Sequence, residues 1–183
     1  MGEKIAEAIR IGKKLADYRL IDGASGNISF RDGDLITITK TGVMLDELDD
    51  SSFITLKLGE RNKEASSDLI VHETIYRTTD YKAVLHCHGV FNVVLSLVDE
   101  EIVPVDLEGR IFIGKAKVVE GEFGSEELAE DIANEIKRCG VAVVRAHGIY
   151  AGGKDLREAF RKASYLEHSC EVLYRKRLLD LVV

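Results

Sequence analysis

Three stretches of the chain repeat apolar residues at every third or fourth position, which is the spacing of a helix with one buried face. They are residues 3–19, Gly124–Arg138 and Lys154–Leu179. The middle one begins with acidic residues, ends with basic residues and is followed by Gly140, an arrangement that favours a helix and marks its end. A fourth, shorter helix is predicted over Ser67–Thr79.

Short apolar runs bounded by turn residues predict the strands. The predicted strands are Asn27–Phe30, Leu35–Thr39, Ser52–Leu58, Ala83–Cys87, Lys115–Val119, Val141–Val144 and Ile149–Ala151. The segment Ile102–Ile113 contains the only proline, Pro104, and its pattern selects neither a helix nor a strand. Because helices and strands alternate without a repeat or linker, we predict an α/β fold in one domain over residues 1–183, with helices on the faces of a sheet.

The composition supports a packed core and narrows the classes of partner. Of the 183 residues, 45% are apolar, and 25 basic residues against 32 acidic ones give a formal net charge of −7. Nucleic acid is normally bound by a clustered positive face, so no nucleic-acid partner is expected. The longest stretch without Asp, Glu, Lys or Arg is Ala83–Val98, which is too short to span a bilayer comfortably.

The cysteines and the N-terminal residues indicate the compartment. Residues 1–20 alternate charged and apolar groups and do not form a signal peptide. The three cysteines, Cys87, Cys139 and Cys170, are odd in number and widely spaced, which fits reduced thiols better than a disulfide scaffold. We therefore expect a cytoplasmic protein with no membrane partner.

Histidines at the ends of two predicted strands form a candidate metal site. His86 and His88 are two residues apart, so in an extended chain both point to the same face of the sheet. His147 follows the apolar run Val141–Val144 and could supply a third ligand from an adjacent strand. Three nitrogen ligands with one open position are typical of catalytic zinc. The alternative interpretation is a pair of hydrogen-bonded histidines at a strand end.

Three short segments offer small polar groups at turns or at the start of a helix. They are Ser25-Gly26-Asn27, Thr41-Gly42 and Ser66-Ser67. Glycine lets an anion approach the backbone, and the free N–H groups of a helix start attract one. Ordinary capping and turn formation explain the same residues equally simply. Neither a Walker loop nor a GxGxxG segment supports nucleotide binding.

One carboxylate and one further histidine lie next to these segments. Asp68 follows Ser66-Ser67, where it could stabilise the start of a helix or move a proton beside a bound substrate. His72 stands four residues later, on the same face of the predicted helix. It could orient Asp68 or support the helix.

Taken in order, these motifs resemble the class II aldolase/adducin family, of the L-fuculose-1-phosphate aldolase type. The resemblance runs from about residue 5 to residue 175. It rests on Ser25-Gly26-Asn27-Ile28-Ser29, Thr39-Lys40-Thr41-Gly42, Ser66-Ser67-Asp68 with His72, His86-Cys87-His88, Ala146-His147-Gly148 and Gly153–Ala159.

The resemblance implies a three-layer α/β/α sandwich with a mostly antiparallel central sheet. It also implies a homotetramer with active sites between neighbouring subunits, and an aldolase that cleaves a ketose 1-phosphate to dihydroxyacetone phosphate and an aldehyde. Zinc would be bound by His86, His88 and His147. The substrate phosphate would be bound by Gly26, Asn27, Thr41, Gly42, Ser66 and Ser67.

Two departures from the family pattern concern the catalytic acids. Asp68 falls where the aldolases usually have a glutamate, whereas the related L-ribulose-5-phosphate 4-epimerases carry an aspartate. The tyrosine that aldolases supply from a neighbouring subunit has no clear match, and its region contains Asp106 and Glu108 as candidate acids. A 4-epimerase and a sugar-phosphate dehydratase are therefore alternatives. A metal-free, adducin-like binding module is a remote one, because all three histidines are present.

Overall fold

A computed structural model describes residues 2–182 of the chain as a set of helices packed around one mixed sheet. The helices are α1 (Gly2–Asp17), α2 (Leu69–Thr78), α3 (Val90–Ser96), α4 (Leu107–Phe112), α5 (Glu126–Cys139) and α6 (Leu156–Asp180). The strands are β1 (Asn27–Asp32), β2 (Leu35–Thr39), β3 (Phe53–Lys57), β4 (Ala83–Cys87), β5 (Glu101–Ile102), β6 (Ala116–Val119), β7 (Val141–Val144) and β8 (Gly148–Gly153).

The eight described strands lie in the order β3-β2-β1-β4-β8-β7-β6-β5. Neighbouring strands in this part of the chain are antiparallel, apart from the parallel pair β6–β7. The mostly antiparallel sheet that the resemblance implied is confirmed. Strands β4 and β8 lie together at the middle of the sheet, so side chains at their ends are placed at its centre.

Apolar side chains bury both faces of the sheet and make the fold a three-layer sandwich. One core lies between the sheet and helices α1, α3 and α6. The other lies between the opposite face and helices α2 and α5. Successive residues of a strand point to opposite faces, so Leu85 and Cys87 enter the first core while Val84 enters the second. His86 alternates with Leu85 and Cys87 and therefore faces the side of α2 and α5.

Most of the predicted elements are observed, with ends shifted by one or two residues. α2 begins at Leu69 rather than Ser67, because Asp68 occupies the N-cap position. α5 begins after Ser125, whose side chain accepts a hydrogen bond from the Leu128 N–H. It ends at Cys139 and is capped by Gly140, whose φ of +85° favours glycine.

The sequence pattern did not predict the helices and the strand between β4 and β6. Helix α3 and the two-residue strand β5 were not predicted. The ambiguous segment Ile102–Ile113 contains the end of β5 and the six-residue helix α4. α4 begins after Asp106, whose side chain accepts the Gly109 N–H at 2.9 Å. Across residues 2–182, none of the helices combines the length and the apolar character needed to cross a bilayer.

Candidate active site

Three histidine rings converge at the middle of the sheet. His86 and His88 lie at the end of β4, and His147 lies in the turn between β7 and β8. The Nε2 atom of His86 is 2.7 Å from that of His88 and 3.0 Å from that of His147. These three nitrogens form a group that could hold one metal ion. The structure therefore brings together the three residues that the sequence indicated as metal ligands.

The backbone conformation on either side of His147 fixes the position of this residue. Ala146 has a φ of +57°, an uncommon conformation for a residue with a side chain, and its N–H donates to the Ser96 hydroxyl at 3.0 Å. The next residue after His147, Gly148, pairs β8 with β7 and lies against β4. A Cβ atom there would be 2.3 Å from the Cys87 carbonyl oxygen, so glycine is needed for this close approach.

The chemistry of His86 fits a metal ligand. Its Nδ1–H donates to the Ile149 carbonyl at 3.0 Å, which leaves a lone pair on Nε2 directed at the other two rings. Burial lowers the pKa of His86 to about 3, and burial also lowers the pKa values of His88 and His147. All three imidazoles are therefore neutral near pH 7, which is the form that binds a divalent ion.

A buried carboxylate lies beside the triad. Asp68 is 4% exposed, and its Oδ2 is 3.9 Å from the Nε2 atom of His86. The same oxygen accepts hydrogen bonds from Asn27 Nδ2 at 2.7 Å and from the Tyr150 hydroxyl at 2.9 Å. Burial tends to raise the pKa of Asp68, but the adjacent His86 and the hydrogen bond from Asn27 outweigh it, so the net pKa is lowered. Asp68 is thus ionised near neutral pH.

Tyr150 is a site residue that the sequence reasoning missed. It is 1% exposed, its ring stacks on His86 with centroids 4.0 Å apart, and its hydroxyl contacts Asp68. Burial and the neighbouring Asp68 raise the pKa of Tyr150 well above its usual value. The signal that places it here is the register of β4 with β8, in which Tyr150 is opposite His86. Strand register of this kind is not visible in an apolar run.

The predicted phosphate-binding residues line one cleft with the histidines and Asp68. The cleft has a volume of about 170 Å³. Its predicted members are Gly26, Asn27, Thr41, Gly42, Ser66 and Ser67. Gly26 has a φ of +79°, and a Cβ atom there would be 2.6 Å from the His86 carbonyl oxygen, so the segment requires glycine at this position.

Lys40 and Phe123 also line the cleft, and the sequence reasoning gave neither a role. Lys40 is the one lysine or arginine among the described residues of the lining, and its Nζ is 3.3 Å from Glu64. Lys40 belongs to the motif Thr39-Lys40-Thr41-Gly42, so its place beside the cleft could have been predicted from the sequence. Phe123 lies in an irregular segment before α5, where no periodicity indicates which way a side chain points.

The two other candidate acids lie outside this cleft in their own chain. Asp106 caps α4, and Glu108 is exposed in the first turn of that helix. The described residues that line the cleft do not include either of them. Their catalytic role therefore stays a prediction that concerns the cleft of a neighbouring subunit.

His72 connects helix α2 to the sheet through a hydrogen bond with Ser29 of β1. It is buried, and its Nδ1 is 2.6 Å from the Ser29 hydroxyl, which also lies 2.7 Å from the Tyr76 hydroxyl. Burial lowers the pKa of His72 to about 4, so its ring is neutral near pH 7. Of the two roles considered for His72, these contacts favour support of the helix.

The fold and the site together define a class of protein. A histidine triad beside a buried carboxylate, at the centre of an antiparallel α/β/α sandwich, is the arrangement that the resemblance implied for a class II aldolase. The model of the Class II Aldolase and Adducin N-terminal domain matches residues 6–174. The chain belongs to this family, and it is a lyase of the class II aldolase type.

Similar proteins support this placement. The chain is 34% identical over 179 residues to an L-fuculose phosphate aldolase from Methanocaldococcus jannaschii, covering 96% of each chain. It is 28% identical over 170 residues to the L-fuculose phosphate aldolase of Escherichia coli, covering 90% of this chain and 77% of that one. The crystal structure of L-fuculose-1-phosphate aldolase from Thermus thermophilus superposes with a TM-score of 0.94 at 28% identity, covering 98% of this chain and 97% of that one.

Proposed function

We propose that this chain is a zinc-dependent aldolase that cleaves a ketose 1-phosphate, of the L-fuculose 1-phosphate kind, to dihydroxyacetone phosphate and an aldehyde. The observation that carries the proposal is the convergence of three histidine side chains beside the buried carboxylate of Asp68. The names of the relatives indicate the substrate class. In this reaction the C3–C4 bond breaks, C3 gains a proton, and the C4 hydroxyl loses one to become the aldehyde.

His86, His88 and His147 would hold the metal. Three neutral nitrogens and an open side toward the cleft fit a catalytic rather than a structural zinc site. When bound, a divalent ion here would act as a Lewis acid toward the negative charge that develops as the carbon–carbon bond breaks. The hydrogen bond from His86 Nδ1 to Ile149 keeps the Nε2 lone pair available for this purpose.

In the condensation direction the ionised Asp68 would take a proton from C3 of dihydroxyacetone phosphate, and in the cleavage direction its carboxyl, after taking up a proton from solvent, would give that proton to C3. Its carboxylate lies next to the triad and lines the same cleft, so a substrate bound at the histidines would be within its reach. Asn27 and Tyr150 hold one carboxylate oxygen in place. A carboxylate that is fixed by two donors is suited to accept a proton from C3 and to return a proton to the same carbon.

The glycine and hydroxyl residues of the cleft would bind the phosphate. Thr41, Ser66 and Ser67 offer hydroxyl groups there, the open space beside Gly42 allows close approach to the backbone, and the positive φ of Gly26 shapes the segment that lines the cleft. Asn27 donates one amide hydrogen to Asp68 and has a second for the substrate. Binding the phosphate at a distance from the reacting carbons would fix their position relative to Asp68.

The proton of the C4 hydroxyl would be exchanged with an acid from the next subunit of a homotetramer. Asp106, the N-cap of α4, and Glu108, in its first turn, are the candidates that the family resemblance offers, and both lie outside the cleft of their own chain. We further propose a cytoplasmic location, because Cys87, Cys139 and Cys170 are all free thiols.

Two measurements test the proposal. The purified protein is expected to bind about one zinc per chain and to release triose phosphate from a ketose 1-phosphate within a panel of such sugars. The matching unphosphorylated ketose should react much more slowly, because it lacks the remote binding energy of the phosphate. Protein that binds zinc yet releases no triose phosphate from any sugar of the panel would contradict the proposed reaction.

Product analysis separates the aldolase from its alternatives. A 4-epimerase would yield the epimeric sugar phosphate, and Asp68 in place of the usual glutamate is the feature that favours it. A dehydratase would release water and no triose. A protein without bound zinc and without any of these products would be a binding module.

A further inference from the structure

Tyr150 contacts both the candidate metal ligand His86, through its ring, and the candidate acid Asp68, through its hydroxyl. In the antiparallel pair β4–β8, His86 and Tyr150 are directly opposite each other. Side chains of opposite residues project to the same face of a sheet, so the two rings stack with an interplanar angle of 10°. The phenol hydroxyl then reaches across to Asp68 at 2.9 Å.

The orientation of Asp68 depends on few groups. Asp68 occupies the N-cap of α2, but its carboxylate makes no capping hydrogen bond to the helix. Both hydrogen bonds that the described residues donate to it, from Asn27 and Tyr150, end on Oδ2. Oδ1 is thus left for the substrate. A hydrogen bond to an ionised acceptor is about twice as strong as one between neutral groups, so the loss of either donor would loosen this arrangement.

We infer that Tyr150 is a positioning residue for the lyase reaction, which orients the Asp68 carboxylate through its hydroxyl while its ring holds the His86 imidazole in plane. This inference rests on the proposed function and extends it, since it assigns a role to a residue that is not among the described residues lining the cleft. The hydroxyl and the ring are separable by substitution, and their effects are therefore measurable one at a time.

The test is Tyr150→Phe, which removes the hydroxyl and keeps the ring. We expect kcat to fall by about tenfold, the effect of losing one hydrogen bond to a charged acceptor. KM for the ketose 1-phosphate and the affinity for zinc should each stay within about twofold, because the phosphate segments and the stacked ring are unchanged. Exchange of the dihydroxyacetone phosphate proton with solvent deuterium, which needs Asp68 but no aldehyde, should fall by the same factor as kcat.

The matched control is Tyr81→Phe. Tyr81 is partly buried and, like Tyr150, has a hydroxyl in a hydrogen bond, which it accepts from Lys162 at 3.2 Å, but it does not line the cleft. Its kinetics should equal those of the wild type, and the thermal midpoints of both variants should be similar.

The outcomes distinguish this inference from the proposed function. A wild-type protein that neither binds zinc nor exchanges the proton would overturn both. An active wild type whose kcat and exchange rate are unchanged in Tyr150→Phe would overturn only the role of Tyr150. The role of Tyr150 would also be overturned by a variant whose zinc affinity falls or whose KM rises while kcat is unchanged. The hydroxyl would then act on binding rather than on the acid.

Discussion

His86 is the most constrained of the three candidate ligands. It is 1% exposed, its Nδ1 is engaged by Ile149, and one face of its ring is covered by Tyr150. His88 and His147 are only partly buried and border the cleft. The candidate metal site is therefore fixed on its inner side by His86 and open toward the cleft on the side of the other two rings.

Removal of one outer ligand tests the triad most directly. His88→Ala leaves the inner packing intact, and we expect loss of bound zinc and a decrease in kcat/KM of at least about a hundredfold, since even groups that only support a ligand often contribute ten- to a hundredfold. Zinc content by elemental analysis and initial rates measure the two effects. His168→Ala, on the exposed side of α6, is the control for metal binding and should keep the zinc content of the wild type. Full zinc content and turnover in His88→Ala would refute the assignment.

The site residues that the sequence could predict are those whose chemistry is unusual for their local position. Two histidines two residues apart at a strand end, and a glycine next to small polar groups, are visible in the one-dimensional pattern. Tyr150 is not, because a tyrosine in a buried strand is ordinary core material until the register places it opposite His86. The contact between Asn27 and Asp68 spans 41 positions and also depends on the fold.

At the scale of elements, α3 depends on a residue distant in sequence. Its N-cap is Gly89, which has no side chain to accept the first N–H groups. Glu167 of α6 accepts the backbone N–H groups of Phe91 and Asn92 and the Asn92 side-chain amide at 2.7 to 3.0 Å. A Cβ atom on Gly89 would be 2.3 Å from the Glu167 carboxyl carbon, so a larger residue at this position would displace the carboxylate. Since Gly89 follows His88, the same contact fixes the end of β4.

Glu167→Ala is therefore expected to affect both stability and metal binding. It leaves several buried N–H groups without an acceptor, and we expect the free energy of unfolding to fall by about 2–4 kcal/mol. Zinc affinity should weaken as well, because the chain after His88 is released. Chemical denaturation and zinc titration measure these changes. Glu171→Ala, one turn later on α6, removes only an ion pair with Arg175 at the surface and is the control. Equal unfolding free energies for the two variants would contradict this role.

Helices α5 and α3 together show why some parts of the fold could be predicted from the sequence and others could not. α5 has its own cap, an amphipathic stripe and a terminal glycine, so every signal is local. α3 receives its cap from a residue 75 positions away, and its segment Val90–Val94, which is apolar apart from Asn92, fits a strand as well as a helix. The strand order is set likewise by long-range pairing, and only the family resemblance indicated that the sheet is mostly antiparallel.

At the scale of the molecule, helices α3 and α4 leave an apolar surface uncovered. Both pack on α6, with Phe91 against Tyr174 and Phe112 against Tyr165. The exposed apolar residues of this region, here called the α3–α4 surface, are Val90, Val94, Leu97, Val98, Val103, Leu107, Ile111 and Phe112. A concentration of exposed apolar side chains is typical of an interface between proteins. It supports the proposed homotetramer and places Asp106 and Glu108 next to the surface that would meet the neighbouring subunit.

Ile111→Asp tests this arrangement, because it puts a charge on the α3–α4 surface without entering the core. Light scattering is expected to show the wild type at about four times the 20.3 kDa of one chain and the variant at a smaller mass. Zinc binding should persist, since His86, His88 and His147 belong to one chain, whereas turnover should fall if the second acid comes from the neighbour as proposed. Leu35→Asp, at the exposed start of β2, is the control and should remain a tetramer. If Ile111→Asp dissociated and kept full turnover, the cleft would be complete within one chain, and Asp106 and Glu108 would have no part in the reaction.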